Sequence, residues 1–319
     1  MIALHSVRPA ILPCYDAGDV DGIGQAVLSV AQRLSTARLA WVLAALALYI
    51  ASLFIVGTRW RGFLRMVGGR AGVMRATLAT LGGISVNNLT PSSRVGGEAC
   101  RIALVRMAGA ATWRQATIAA VWDRLSEVPP IIVLAVMSIF AVRDLSTRWR
   151  TGLMIGGLVI LLILAALAAR GFRRSRAGEG AAGWRERLAL DRVSARVLAE
   201  GVGFSVLLWL QDVLRLMCAA RAFGVTLGPA KAATLAILTM IGGLVPTIGG
   251  LGAIEGGLVA GLIAFGVDVP TAAAITAAER VISFGFSTSA GALVVALLGG
   301  RSLWVSARSR PASIDQLLP

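Results

Sequence analysis

Two long apolar stretches of this chain, 76–108 and 231–265, are broken in the middle by residues that end helices. The first break reads Asn87-Asn88-Leu89-Thr90-Pro91-Ser92-Ser93; the second reads Pro246-Thr247-Ile248-Gly249-Gly250 and leads to Gly252. Unbroken apolar runs lie around them at 39–57, 115–142, 151–169, 196–220 and 271–298. Each is about as long as the ~20 residues a bilayer core requires of a helix. The run at 39–57 starts far from Met1 with no small-residue cleavage site after it, so it reads as a retained span. A charged fraction of 15% agrees with a membrane setting, since soluble domains carry roughly 25%. The pattern predicts an all-α polytopic integral membrane protein of about five full spans plus two hairpins.

Backbone polar groups at membrane depth must be paired, so a break is tolerated only inside protein or against a water-filled cavity. Both broken regions therefore read as re-entrant hairpins, with Asn88, Thr90, Pro91, Pro246, Gly249, Gly250 and Gly252 at the breaks. Thr90 is expected to cap a new helix with Pro91 at its first position. The positive end of that helix, with Arg94 and Arg101 nearby, suits an anionic group such as phosphate.

The two broken regions resemble each other. Leu89-Thr90-Pro91 leads to Gly97-Glu98 and then, 25 residues after the glutamate, to Asp123-Arg124. Leu244-Val245-Pro246 leads to Gly252 and Glu255 and then, 24 residues on, to Glu279-Arg280. The prolines are 155 apart and the acid–arginine pairs 156. Loop charge supplies an orientation. Residues 1–39 balance three arginines with three aspartates, whereas Arg59–Arg75 holds five arginines and no acid. Segment 170–192 and the tail are basic as well. Placing these basic segments inside puts the N-terminus outside, the C-terminus inside, and the two units in opposite orientations, although the outer loop Arg143–Arg150 is itself slightly basic. That is an inverted repeat of the kind that marks a transport site. Residues 1–38 are then an external amphipathic segment and 39–298 one transmembrane domain. Its repeats fall at about 76–142 and about 231–298, and 299–319 form a cytoplasmic tail.

Asp123-Arg124, with Glu127 one turn on, and Glu279-Arg280 have two readings. They lock spans together as ion pairs, or they touch substrate or a coupling proton. Ionisable groups at the bilayer centre cost at least ~2.5–3.5 kcal/mol each, which keeps both readings open. Asp212 and Arg215, three apart, read as a local ion pair. Pro129-Pro130 marks a kink. Gly249, Gly250, Gly252, Gly256, Gly257 and Gly261 read as close-packing positions. Trp41, Trp60, Trp113, Trp149, Trp209 and Trp304 read as an interfacial belt. A single histidine, His5, and three scattered cysteines exclude hydrolytic triads and His-ligated zinc. With no nucleotide-binding glycine motif, no cofactor, no metal and no enzymatic activity are expected. The net charge of +15 lies mostly in loops, so nucleic acid is not an expected partner.

The run Asn88-Leu89-Thr90-Pro91-Ser92-Ser93-Arg94-Val95-Gly96-Gly97-Glu98, with Arg101 and Asp123-Arg124, resembles the first motif of the lysylphosphatidylglycerol synthase transmembrane family. Pro246 to Gly256, with Glu279-Arg280, is similar to its second motif, with the glycine pair one residue earlier than usual. The resemblance covers roughly 20–298 and implies a lipid-flippase-like fold with paired hairpins. It implies a stand-alone member, with no aminoacyltransferase domain after Pro319 and one N-terminal span fewer than many relatives. The expected function is movement of a phospholipid or lipid-linked headgroup, anionic or zwitterionic, between leaflets of a bacterial inner membrane. Arg94, Arg101, Arg124 and Arg280 would contact phosphate. Glu98, Asp123, Glu255 and Glu279 would organise them, meet a cationic group or carry a proton. The alternatives are a secondary transporter of a small polar solute and a non-transporting accessory subunit of a lipid-modifying enzyme. Membrane lipids are the expected substrate. A second copy of the chain and an enzyme of lipid or glycolipid synthesis are the protein partners considered.

Overall fold

The computed structural model describes residues 19–91, 95–142, 151 and 193–308. Arg94, the outer loop 143–150, all but the first residue of the span 151–169, and the basic segment 170–192 lie outside the described residues. Among the described residues the chain is helical without strands. In chain order the helices are α1 (Asp19–Ser35), α2 (Leu39–Met66), α3 (Val73–Leu89), α4 (Val95–Met107), α5 (Trp113–Leu125) and α6 (Val128–Val142). They continue with α7 (Ala195–Ala222), α8 (Pro229–Gly242), α9 (Ala253–Ala264), α10 (Val269–Arg280) and α11 (Ser287–Arg308). A single 3₁₀ turn, Ile248–Gly250, lies between α8 and α9, and a π-helical segment, Val281–Phe286, joins α10 to α11.

Local chemistry sets the helix ends. Thr112 accepts from the Gln115 backbone N–H while the Gln115 side chain accepts from the Thr112 N–H, a reciprocal cap on α5. Ser194 caps α7 and Asp268 caps α10, the latter accepting from the Thr271 N–H. That bond holds the Asp268 carboxyl below its ordinary pKa.

The second half of the chain repeats the plan of the first. Helices α2 and α7 have 28 residues each and begin 156 positions apart, at Leu39 and Ala195. The same offset separates the starts of α3 and α8 and of α5 and α10. The halves interleave: α2 packs along α7, α3 against α11, and α6 against α8. One apolar core gathers around Trp60, Phe63, Leu64 and Val105. The other gathers around Leu216, Leu235, Leu258 and Ile275.

Among the described residues three stretches are long and apolar enough to cross a membrane: Leu39–Met66, Ala195–Ala222 and Val269–Leu298. Their outer faces expose Leu43, Phe54, Leu207, Leu210, Leu293 and Leu297. Surfaces this apolar are costly in water and natural in lipid.

Both broken regions form helix–break–helix units with arms in contact, α3 on α4 and α8 on α9. Glycine permits the approach in each. A Cβ on Gly83 would stand 2.6 Å from the Gly97 carbonyl oxygen, and one on Gly242 2.9 Å from the Ile254 Cα. At the second break Gly249, Gly250 and Gly252 have φ of 59°, 71° and 84°, a region that glycine enters without a Cβ penalty.

Several expectations are corrected. The run 115–142 is not one continuous helix: it ends as α5 at Leu125 and restarts as α6 at Val128. Pro129 and Pro130 supply no N–H to the carbonyls of Leu125 and Ser126, so the helix breaks one turn before the prolines. Arg59, Arg61 and Arg65 belong to α2, not to a loop, because that helix runs on to Met66. Thr90 closes α3, its hydroxyl donating to the Val86 carbonyl, and the residues 92–94 over which it would cap a new helix lie outside the described residues. Trp60 is fully buried and stacks on Arg101, 4.3 Å from guanidinium carbon to ring centroid, so it is no belt residue.

Candidate functional site

Every predicted charged site residue among the described residues is held in one of two ion clusters. In the first, Asp123 is 0% exposed and accepts from two arginines. Arg59 Nε reaches its Oδ1 at 2.7 Å and Arg101 Nη1 its Oδ2 at 2.9 Å. Arg59 also reaches Glu127 at 2.6 Å and the Ser205 hydroxyl of α7 at 2.8 Å. Arg101 meets Glu98 at 2.6 Å. Arg124 joins Glu98 (2.5 Å) to Glu127 (3.1 Å). Three guanidiniums and three carboxylates thus tie α2, α4 and α5 together.

The second cluster is built at matching positions. Arg215 bonds Glu279, and Asp212 at 3.0 Å. Arg280 Nε reaches Glu255 Oε1 at 2.7 Å, and its Nη2 donates to the Gly249 carbonyl at 3.0 Å. The local pair expected at Asp212 and Arg215 is present. The helix ends at the breaks already hold carboxylates: Glu255 accepts from the Gly252 N–H at 2.7 Å, and Glu98 sits in the first turn of α4. At the first break the Gly97 N–H donates to Asn87 Oδ1 at 2.7 Å.

Between the breaks lies a cavity of about 360 Å³. Asn87, Asn88 and Thr90 line it from the first break; Thr247, Gly249 and Gly250 line it from the second. Arg59, Arg124 and Glu127 of the first cluster face it, with Asp212, Arg215, Glu279 and Arg280 of the second. Glu98, Asp123 and Glu255 do not line it but hold the arginines Arg124, Arg59 and Arg280 that do, and Arg101, also off the lining, pairs with Glu98 and Asp123. Pro91 and Pro246 flank the breaks without lining it. Asn88 donates to the Ser287 and Thr288 hydroxyls of α11, pinning the first break onto the second half. Among the described residues no group of acidic, histidine or cysteine side chains is placed to hold a metal ion.

This arrangement of spans, breaks and acid–arginine pairs coincides with a known family. The family model described as the lysylphosphatidylglycerol synthase TM region matches residues 25–291. The chain belongs to that family. It is similar to a UPF0104 membrane protein of Methanothermobacter thermautotrophicus, 29% identical over 81% of this chain and 86% of the relative. It is also similar to a UPF0104 membrane protein of Pyrococcus horikoshii, 25% identical over 85% of this chain and 90% of that one. The chain is accordingly a helical membrane protein.

Within this lysylphosphatidylglycerol synthase TM region, Arg59 is the site residue that sequence reasoning missed. Loop counting absorbed it among the five arginines of 59–75, yet it stands 156 positions before Arg215, the offset that relates Asp123 to Glu279. Tyr49 and Trp209 were not assigned to the site either, and both line the cavity. The break after the acid–arginine pair also recurs, as the turn Ser126–Glu127 after α5 and as the π-helical segment after α10. π-Helical insertions are rare and concentrate at functional positions.

Proposed function

We propose that this protein carries the polar headgroup of a membrane lipid between leaflets through the cavity, while the acyl chains stay in surrounding lipid. The observation that carries this reading is a charged cavity between two helix breaks, in a family member whose outer faces are apolar. The short second arms support re-entrant hairpins. At 1.5 Å per residue the 13 residues of α4 and 12 of α9 span roughly 18–20 Å, less than the ~30 Å hydrocarbon core. The common offset and interleaved packing support two units related as an inverted repeat. Loop charge favours an outside N-terminus and a cytoplasmic C-terminus. No catalytic chemistry is assigned to the site.

Pairing changes how the site works. Each cavity arginine is already bonded to a carboxylate, so a headgroup phosphate enters by exchanging with one of them. Arg124 and Arg280 are placed for this, each bridging a hairpin arm to the acid–arginine helix. Opening one bridge while the other stays closed gives a route for alternating access.

The cavity's volume favours a second reading, transport of a small polar solute, since about 360 Å³ lies near the small end of ligand pockets. Proteoliposomes separate the two. Lipid transport requires accelerated leaflet exchange of labelled phospholipid over protein-free vesicles, without uptake of soluble headgroup analogues. Uptake without exchange establishes the solute transporter. Absence of both, together with co-purification of a lipid-modifying enzyme, turns the protein into an accessory subunit. Orientation is checked by labelling: Ser175→Cys and Ser302→Cys should be protected from outside reagent and Thr147→Cys labelled, and the reverse rejects the inverted arrangement.

A further inference from the structure

Arg59, Asp123 and Arg124 recur 156 positions on as Arg215, Glu279 and Arg280, and Glu98 recurs 157 on as Glu255. Arg101 and Glu127 have no charged counterpart, and the two clusters differ in charge. The first has three guanidiniums and three carboxylates. The second has two guanidiniums, Arg215 and Arg280, against three carboxylates, Asp212, Glu255 and Glu279. The surplus is Asp212. At the common offset the first half has Val56 in its place, so this carboxylate is an addition and not part of the shared scaffold. Arg215 divides itself between Asp212 and Glu279, and the tighter, buried bond goes to Glu279.

Exposure singles out the same residue. Within the clusters the Arg124 side chain is 44% exposed and that of Asp212 41%, while the rest are at most 29%. Both line the cavity, Arg124 from the first half and Asp212 from the second. The aromatic rings of Tyr49 and Trp209 line it too. The Tyr49 ring already carries the Arg215 guanidinium, 5.5 Å from its centroid, which leaves Trp209, three residues before Asp212 on α7, as the ring suited to an ammonium group. The charged side chains that line the cavity are four guanidiniums, Arg59, Arg124, Arg215 and Arg280, and three carboxylates, Glu127, Asp212 and Glu279, so groups of both signs face a ligand. A ligand with one phosphate and one ammonium finds an available partner for each.

Building on the lipid-transport reading, we propose that the cavity selects a zwitterionic headgroup, with its phosphate at Arg124 and its ammonium at Asp212. Asp212 sets specificity: it distinguishes zwitterionic from purely anionic lipids and leaves the scaffold untouched. Losing it leaves Arg215 bonded to Glu279, so the variant retains the buried part of the cluster.

The test uses the full chain in proteoliposomes with labelled phosphatidylethanolamine and phosphatidylglycerol, each modified on an acyl chain so that its headgroup is intact. Asp212→Asn is expected to slow phosphatidylethanolamine exchange by about tenfold or more, the scale of one lost charged contact. Phosphatidylglycerol exchange should stay within about twofold of wild type or rise, since a neutral side chain removes only a repulsion. Asp212→Glu should restore the preference, and an unchanged unfolding temperature shows that the variants fold. Equal slowing of both lipids, or slowing of neither, overturns the proposal. If the wild type exchanges no lipid, the transport reading fails by itself, and binding of soluble phosphoethanolamine to the detergent-solubilised protein decides the site's chemistry. Asp212-dependent binding then assigns the site to a free zwitterion; absence of binding overturns it.

Discussion

The ion clusters of the two halves share a plan and differ in how tightly they are closed. In the first, Asp123 is wholly buried and holds Arg59 and Arg101 at once, and each arginine has a second carboxylate. In the second, Glu279 holds one arginine, and Arg280 takes as its second partner the Gly249 carbonyl in the turn at the break. Desolvating charges is repaid only when every partner is in place. The first cluster is therefore an anchor among α2, α4 and α5. The second couples a helix to the backbone of a break and leaves Asp212 facing the cavity. Two halves with a common helix offset thus differ, the first closed by buried ion pairs and the second leaving a carboxylate at the cavity.

The sharpest way to break that contrast is to remove the two central acids. Asp123→Ala leaves two buried guanidiniums short of a partner and should cost about 3–5 kcal/mol, read as unfolding in detergent. Glu279→Gln strips one guanidinium that keeps Asp212, and a loss of about 2 kcal/mol is expected in the same measurement. Equal losses would remove the distinction between the anchor and the cavity-facing cluster.

Packing offers a finer comparison. Gly83→Ala forces a Cβ against the Gly97 carbonyl and should cost about 1–3 kcal/mol. Gly256→Ala meets nothing within 4 Å on α9 and should gain about 0.5–1 kcal/mol of helix propensity. The same substitution thus changes sign between the halves, and destabilisation at both positions would show that α9 packs more tightly than the structure places it.

Much of the fold was legible because its signals are local. Apolar runs and Pro- and Gly-containing breaks gave both helix–break–helix units nearly at their observed limits, and spacing paired Asp123-Arg124 with Glu279-Arg280. The misses came from contacts distant in sequence. Arg59 looks like one more loop arginine until Asp123 and Glu127, 64 and 68 residues later, are brought beside it. Trp60 has the composition of an interfacial residue and is buried in the core with Phe63, Leu64 and Val105, Arg101 stacking on it. The acid–arginine pairs left ion pairing and substrate contact both open, because no sequence pattern shows which carboxylate each arginine meets across helices.

The central claim is that the cavity arginines exchange their carboxylates for a lipid headgroup. Leaflet exchange by reconstituted Arg124→Ala and Arg280→Ala variants tests it most directly, with folding verified by unfolding temperature. Each should reduce exchange by about tenfold or more relative to wild type, one lost charged contact apiece. Wild-type exchange rates in both folded variants would contradict the claim and reduce the two clusters to structural ion pairs.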